Sequence, residues 1–227
     1  MLRDEAVARV RQILGFRPDL RVEVEQALRE AQEDAESGTM GFLPWFLRAR
    51  HSFTVDANGN TVNLPTDFIR EYDHEKYALY ITGYGPAQRV EYFAPDRAGV
   101  LKSGELCYYL EPMLIQLDRR FLSSVDGEYL YYKRDEVLSE NIENGWLRSG
   151  SQYIIGSAGI KLSGVQDIQA RNEFEAMRTN GQSALLRQDT AFRVGSRKPQ
   201  FGYGTDREFR ERDTSYGLRY NDYDFGE

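Results

Sequence analysis

Apolar residues recur at intervals of three and four at the start of the chain, and this pattern predicts two helices. The first helix has apolar positions at Leu2, Ala6, Val7, Val10, Ile13 and Leu14. Gly15 and Pro18 then break it, Asp19 could cap the second helix, and Gly38 ends that helix. The stripe of the second helix is formed by Val24, Ala27, Leu28, Ala31 and Ala35. Two helices joined by so short a break are typical of an antiparallel helical hairpin.

From about residue 46 to residue 133 the hydrophobic period changes to two, as expected of half-buried strands. The strand candidates are 46–55, 60–64, 77–82, 88–93, 105–110, 113–117 and 128–133. Turns are predicted between them at Asn58-Gly59, Gly83-x-Gly85, Ser103-Gly104 and Asp126-Gly127. The pattern predicts an antiparallel β module.

Helical spacing returns near Asn144 and predicts a second helix pair, interrupted at Ser163-Gly164. The stripes are Leu147, Ser151, Ile154, Ile155, Ala158 and Leu162, then Ala170, Phe174, Met177, Gly181, Ala184 and Leu185. The predicted fold class is therefore α+β, with N- and C-terminal helix pairs forming a helical bundle and an antiparallel β module inserted between them. The predicted boundaries are 1–45 and 142–190 for the bundle, 46–141 for the β module and 191–227 for an extended C-terminal arm.

The last segment differs in composition, because it is rich in aromatic residues and poor in aliphatic ones. Its aromatic residues are Phe192, Phe201, Tyr203, Phe209, Tyr216, Tyr220, Tyr223 and Phe225, and seven basic residues balance seven acidic ones. Tyr, Phe and Arg are enriched in the cores of protein interfaces. The composition predicts an arm that orders against a partner; the alternative is an extended strand or loop that lies on its own domain.

The overall composition, 41% apolar and 29% charged, is typical of a soluble globular protein. The sequence has no apolar run of about 18 residues and no apolar leader, so neither a membrane span nor a secretory signal is expected. A net charge of -7 argues against tight binding to nucleic acid. One cysteine and two histidines exclude a thiolate cage and disfavour a zinc site, so neither a metal nor another cofactor is expected.

Several short patterns suggest chemistry, but each has a more ordinary structural interpretation. Gly156 and Gly159 lack the spacing of a phosphate loop, and a Gly-x-x-Gly clamp for RNA needs a basic surface, so close helix packing is favoured. Cys107 lies in an apolar run and is interpreted as a core thiol. Tyr108-Tyr109 and the stretch 129–132 could stack on bases, but in an acidic protein they are better interpreted as faces of a sheet.

A cluster of carboxylates and an imidazole follows residue 66, comprising Asp67, Glu71, Asp73, His74 and Glu75. An acid–base or metal site is conceivable there, but no second cluster completes it, so a solvated loop at the rim of the sheet is favoured. No catalytic residue is expected, and the protein is predicted not to be an enzyme. The preceding stretch Leu64-Pro65-x-Asp67-Phe68 predicts the end of a strand and a structural corner, because Pro65 cannot donate to a ladder.

Three stretches carry a resemblance to a known family. They are "AVARVRQILGFRPDLRVEVEQALREAQEDAES", "GFLPWFLRARHSFTVDANGNTVNLPTDFIREYD" and "GWLRSGSQYIIGSAGIKLSGVQDIQARNEFEAMRTNGQSALL". In the order and type of its elements over about residues 1–190, the chain resembles the head-to-tail adaptor (connector) proteins of tailed bacteriophages, a group that includes the tail tubular protein A of short-tailed phages. The Leu64-Pro65 and Asp67-Phe68 pairs are its most local signal.

The resemblance implies a structural protein of the virion neck, made in the host cytoplasm. Such adaptors form a ring, commonly of twelve copies, beneath the portal; they extend the DNA channel and dock the tail tube, nozzle or next neck protein. DNA would pass without sequence-specific binding, and Leu64, Pro65, Asp67 and Phe68 would fix the corner between sheet module and bundle. The arm is predicted to bind the portal through Phe192, Arg193, Phe201, Tyr203, Arg207, Phe209, Arg210, Arg212, Tyr216, Arg219, Tyr220 and Tyr223.

Three alternative functions remain open from the sequence. One is a nucleic-acid-binding module that uses the tyrosine-rich sheet. Another is a different neck or tail ring protein, such as a head-completion or tail-terminator protein. The third is a metal hydrolase centred on Asp67, Asp73 and His74.

Overall fold

The computed structural model describes residues 1–72, 78–81, 88–92, 106–163 and 168–196, and for residues 88, 89, 91, 168 and 193–196 it describes the backbone alone. Helices and a largely antiparallel sheet are both present, so the predicted α+β class is confirmed. The described chain divides into two compact units. The helical unit combines residues 1–48 with 132–196, and the β unit lies within 49–131. Residues 132–141, assigned to the β module from sequence, lie in the helical unit.

The described part of the helical unit contains five α-helices. They are α1 (Arg3–Ile13), α2 (Arg21–Glu36), α3 (Gly145–Ser149), α4 (Ser151–Leu162) and α5 (Ile168–Ser196). Glu5 stabilises the start of α1, because its carboxylate accepts a hydrogen bond from the amide of Leu2 at 2.9 Å. Asp19 does not cap α2 as predicted; it lies in a 3₁₀ turn (Pro18–Leu20) and pairs with Arg17.

Helix α4 is central to the packing of this unit and contacts α2 and α5. Its glycines allow close approach: a Cβ atom on Gly156 would lie 2.5 Å from the backbone nitrogen of Arg178, and one on Gly159 would lie 2.1 Å from the ring of Phe174. Gly181 of α5 approaches the backbone of Tyr153 in the same way. Small residues at the crossing therefore bring the two helix backbones together.

A buried polar network joins α2 to the connection that leads into α3. One carboxylate oxygen of Glu36 accepts hydrogen bonds from the indole of Trp146 at 3.0 Å, the side-chain amide of Gln32 at 3.0 Å and the backbone amide of Asp135 at 3.2 Å. Asn144 donates to the side-chain oxygen of Gln32 and accepts from the amide of Leu147, which caps α3. The network satisfies polar groups that would otherwise be costly to bury.

The sheet contains eight described strands. They are β1 (Arg48–Val55), β2 (Thr61–Asn63), β3 (Phe68–Glu71), β4 (Leu79–Ile81), β5 (Gln88–Tyr92), β6 (Cys107–Glu111), β7 (Leu114–Leu117) and β8 (Val125–Lys133). Their order is β1-β8-β4-β5-β6-β7-β2, and β3 also pairs with β8. The pairing of β5 with β6 is parallel, so the sheet is not antiparallel throughout as predicted.

Two local predictions about the sheet were wrong. Phe68–Glu71 forms a strand, whereas Glu71 was predicted to lie in a solvated loop at the rim of the sheet. Asp126-Gly127 was predicted as a turn but lies inside β8. A Cβ atom at Gly127 would come within 2.4 Å of the ring of Phe53, so glycine makes room for core packing rather than for a turn.

The β unit has an apolar core that draws residues from most of its strands. Its large buried members include Phe53, Leu79, Tyr108, Ile115, Leu117, Tyr129 and Tyr131. Burial of alternate side chains along the strands explains why the period of two was visible in the sequence. None of the described helices is both long and apolar enough to cross a membrane.

Candidate interaction surfaces

Carboxylates at the two ends of β3 are bonded to tyrosine hydroxyls of other strands. The Tyr131 hydroxyl donates to Asp67 Oδ1 at 2.9 Å. The Tyr108 hydroxyl donates to Glu71 Oε1 at 2.5 Å, and the Tyr129 hydroxyl donates to Glu71 Oε2 at 3.2 Å. Hydrogen bonds to an ionised acceptor are stronger than those between neutral groups. Asp67 and Glu71 therefore anchor a four-residue strand to the tyrosine-rich part of the sheet.

Aromatic packing adds to this anchor. The ring of Phe68 is stacked with those of Tyr129 and Tyr131, at centroid distances of 6.2 and 6.0 Å. Tyr108 meets Tyr92 edge to face at 5.6 Å. Tyr108, Tyr129 and Tyr131 are all buried, so their rings are committed to the core. These three tyrosines belong to the two runs that were considered as base-stacking platforms, and their burial keeps them from stacking on a ligand.

The environment of Glu71 is electrostatically unusual. Burial raises the pKa of its carboxyl group above the ordinary value of 4.5, although the hydrogen bonds from Tyr108 and Tyr129 act in the opposite direction. Burial and the neighbouring Glu71 charge raise the pKa values of Tyr108 and Tyr129 in turn. Burial, together with the bond to Asp67, raises the pKa of Tyr131 to about 12. These hydroxyls therefore act as hydrogen-bond donors at neutral pH.

A cavity of about 370 Å³ opens beside Glu71. The described residues that line it are Phe68, Ile69, Arg70, Glu71, Tyr92 and Leu110. Aromatic and aliphatic walls with a few convergent polar groups are typical of ligand and partner sites. Here the polar groups are the Glu71 carboxylate and the neighbouring Arg70.

The predicted structural corner lies within the β unit. Leu64 is buried, and its amide donates to the carbonyl of Met113 at 2.9 Å. The carbonyl of Pro65 accepts from the amide of Phe68 at 3.1 Å, closing the turn into β3. Asp67 and Phe68 then contact the tyrosines described above. A role for these four residues between sheet and bundle stays a prediction.

The end of α5 carries the one predicted partner-binding residue whose side chain is described. The ring of Phe192 is stacked on that of Trp45 at 5.2 Å, and the guanidinium carbon of Arg48 lies 5.0 Å from its centroid. Arg48 also pairs with the buried Asp189, one turn earlier on α5, at 3.1 Å. Phe192 nevertheless remains 43% exposed. Part of its ring is therefore open to a partner while the rest is fixed to the helical unit.

Helix α5 continues to Ser196, so the first six residues of the predicted arm are helical. Arg193 lies on this helix. The remaining predicted partner-binding residues lie outside the described residues; they are Phe201, Tyr203, Arg207, Phe209, Arg210, Arg212, Tyr216, Arg219, Tyr220 and Tyr223.

A second cavity, of about 750 Å³, lies in the helical unit between α1, α4 and α5. Its described lining includes Ala8, Arg9, Phe16, Ile155 and Met177. Phe16 has a positive φ of 59° and is 72% exposed, which is unusual for a large apolar residue. Its position makes the edge of this groove a candidate contact surface.

The other chemical candidates have structural explanations where the structure describes them. Gly156 and Gly159 serve helix packing, as predicted. Cys107 is buried, as expected of a core thiol. Asp73, His74 and Glu75 lie outside the described residues. Within the described ranges, no three His, Cys, Asp or Glu side chains are grouped as metal ligands would be.

Three residues of these surfaces, Trp45, Arg48 and Glu71, make contacts that the sequence did not reveal. Trp45 was assigned to the end of the first bundle segment and Arg48 to the strand candidate 46–55, and the sequence did not show that both contact the end of α5. Glu71 was assigned to a loop, whereas it binds two tyrosines. A carboxylate two positions after the apolar pair Phe68-Ile69 was the available signal for Glu71.

No protein-family model matches the sequence, and no curated protein matches it significantly.

Proposed function

We propose that the protein is a head-to-tail adaptor of a tailed bacteriophage, which forms a ring beneath the portal, extends the DNA channel and docks the tail. The observation that carries the proposal is the discontinuous helical unit: residues 1–48 and 132–196 belong together, and the chain between them forms a sheet. This is the arrangement expected of an adaptor, with a bundle assembled from both ends of the chain and an inserted β module. A dodecamer is the expected copy number, by resemblance alone.

Exposed apolar side chains support an assembling protein. Leu122 is 91% exposed, Val22 is 73% exposed and Phe16 is 72% exposed. Exposed apolar groups that join into a contiguous patch mark surfaces that become buried in complexes, whereas single ones are ordinary. A cyclic ring needs two different surfaces on each copy, because its contacts are heterologous. Exposed apolar groups on both the helical and the β unit are compatible with that requirement.

The arm would tie the ring to the portal. Its aromatic residues would fill grooves, and its arginines would pair with portal carboxylates. Phe192 supports this, because it is held by Trp45 while staying partly exposed at the point where the arm begins. The net charge of -7 is compatible with an acidic channel that repels DNA phosphate and lets the duplex slide.

Native mass spectrometry tests this proposal directly. The protein alone and the protein mixed with the portal ring of the same phage would be measured in parallel, with an unrelated portal as the control. We expect a multi-copy layer on the matching portal. A stable ring in isolation that ignores the portal would favour a tail-terminator or head-completion protein, and a monomer that ignores the portal would overturn the proposal.

The nucleic-acid alternative is weakened by the burial of Tyr108, Tyr129, Tyr131 and Tyr132. Base stacking needs an exposed aromatic face. Affinity for single strands that falls steeply with salt concentration would nevertheless revive it.

A further inference from the structure

We propose that the cavity beside Glu71 binds an arginine side chain from the C-terminal segment, residues 201–227, of a second copy of this chain. The inference rests on the proposed function, since a ring supplies the second copy, and it names a partner for the arm other than the portal.

The Glu71 carboxylate is held in place and is suited to bind a cation. Both of its oxygens accept hydrogen bonds from buried tyrosines, so its position is fixed. Among the described residues no cationic side chain is paired with it, and burial raises its pKa. A partly buried carboxylate without a cationic partner is costly, and a bound guanidinium would offset that cost.

The walls of the cavity are suited to a guanidinium group. Phe68, Tyr92 and Leu110 surround the approach to Glu71. A planar guanidinium can stack on an aromatic face while its N–H groups donate to a carboxylate, which an ammonium group does less well. Tyr92 is 44% exposed, so its ring is accessible to an incoming side chain. The cavity therefore matches arginine better than lysine.

The C-terminal segment of this chain is a source of such arginines. The C-terminal segment carries Arg207, Arg210, Arg212 and Arg219, interleaved with Phe209, Tyr216 and Tyr220. A segment of about 30 residues spans about 100–110 Å when fully extended, so its reach does not confine it to its own copy. The aromatic residues beside each arginine would extend the contact along the rim of the cavity.

Arg70 also lines the cavity and provides the internal control. If the occupant were anionic, Arg70 would be its partner and Glu71 would repel it. Replacing the two residues separately therefore distinguishes a cationic occupant from an acidic one.

The test uses the full chain with Arg207, Arg210, Arg212 and Arg219 all changed to Gln, so that its own arm does not compete. A fluorescent peptide of residues 201–227 is titrated into this protein, and anisotropy gives the Kd. We expect Glu71→Gln in the receptor to raise the Kd about 10-fold or more, as for loss of a charge-assisted bond. Arg70→Gln should change the Kd by less than about 3-fold, a small effect on the free-energy scale.

A matched peptide in which the same four arginines are Gln should bind weakly, with no further loss from Glu71→Gln. Equal Kd values with and without Glu71→Gln would overturn the inference, as would a loss caused by Arg70→Gln instead. No binding at about 1 mM peptide, the effective concentration that a tether supplies, would overturn it too. If Glu71→Gln prevents folding, Tyr92→Ala is the second variant, with a rise in the Kd expected from the lost ring face.

A cross-linking experiment establishes which copy donates the arginine. A photoreactive phenylalanine at position 92 is placed in full-length chains, and ¹⁴N- and ¹⁵N-labelled chains are mixed on the portal. Cross-links from position 92 to the arm of a differently labelled chain support the inference, and cross-links confined to one chain overturn it. If the protein forms a layer on the portal but the peptide does not bind, the adaptor role stands and the inference about the cavity is wrong. If the peptide binds in a Glu71-dependent way but no layer forms, only the adaptor role is contradicted.

Discussion

Two carboxylates, one at each end of the four-residue strand β3, help to hold this strand in place. Asp67 accepts from Tyr131, and Glu71 accepts from Tyr108 and Tyr129. Buried tyrosine hydroxyls need partners, and the carboxylates supply them. At the scale of the residue, Asp67 and Glu71 therefore stabilise the position of β3. Glu71 also lines an accessible cavity.

Glu71→Gln should change how stability depends on pH. Folding raises the pKa of the Glu71 carboxyl group above 4.5. The folded state therefore binds the carboxyl proton more tightly than the unfolded state does. The ionised carboxylate therefore costs stability above its folded pKa, and this cost disappears as the pH falls towards 4.5. A glutamine avoids the charge and can still bond to both tyrosines, by accepting from one and donating to the other.

The expected result is a melting temperature for Glu71→Gln at least equal to that of the unaltered protein at pH 7. The advantage should shrink as the pH is lowered towards 4.5, measured by thermal unfolding at several pH values. An advantage that grows on acidification would show that burial does not raise the pKa of this group.

The sequence showed Asp67 and Glu71 as members of an acidic cluster and favoured a solvated loop, and it could not identify their partners. Tyr108 and Tyr131 lie 37 and 64 positions away from them along the chain. Contacts over such separations are decided by strand order, which no local pattern specifies.

Helices α4 and α5 show how small residues set the distance between elements. Gly156 lies where the backbone of α5 comes closest to α4, and Gly159 lies where the Phe174 ring of α5 does so. The cost of glycine in a helix, about 1 kcal/mol each, is offset by the contacts that close packing allows.

Gly159→Ala should destabilise the helical unit despite the better helix propensity of alanine. Its added Cβ would lie 2.1 Å from the Phe174 ring, so the ring or the helix must move. We expect a loss of about 1–3 kcal/mol in the free energy of unfolding, as for overpacked cores, measured by urea denaturation. Gln152→Ala, at an exposed position on α4, is the control and should change stability by less than about 0.5 kcal/mol. A stabilised Gly159→Ala protein would mean that the two helices are not in close contact.

Strand β3 and the interior of β8 were the elements that local patterns misassigned. The turn signal at Asp126-Gly127 was overridden because Gly127 lies under the Phe53 ring within the sheet. The tetrapeptide of β3 is too short to show a period of two, and its pairing with β8 depends on the anchors at Asp67 and Glu71.

At the scale of the whole molecule, the two units differ in how the chain builds them. The helical unit is assembled from both ends of the described chain, whereas the β unit is built from its middle. The site where the arm begins belongs to the helical unit, where Trp45, Arg48 and Asp189 hold the last turns of α5. The arm is therefore proposed to extend from a rigid support.

Two truncations should separate this support from the arm. Deleting residues 197–227 should leave the melting temperature within about 4 °C of the full chain, because it spares α5 and its contacts. It should abolish the layer on the portal seen by native mass spectrometry. Deleting residues 191–227 also removes Phe192 from Trp45 and Arg48, and should cost about 1–2 kcal/mol more.

Equal portal binding by the full chain and by the chain ending at Ser196 would remove the arm from the docking mechanism. Equal stability of the two truncated proteins would contradict the role of Phe192 as an anchor. Melting temperatures and portal binding measured on the same samples keep the two results independent.

Local sequence patterns were enough to predict the α+β class, the stripes of the helices and most of the strands, because the periods of 3.6 and 2 are local consequences of backbone geometry. It also marked Gly156 and Gly159 as packing positions. Two backbone features became known only from the folded structure: β5 and β6 are parallel, and Gly127 lies within a strand. The same is true of two side-chain contacts, the hydrogen bonds of Glu71 with Tyr108 and Tyr129 and the stacking of Phe192 on Trp45. These features depend on contacts between distant segments, whose free energy is gained only when the whole unit is folded.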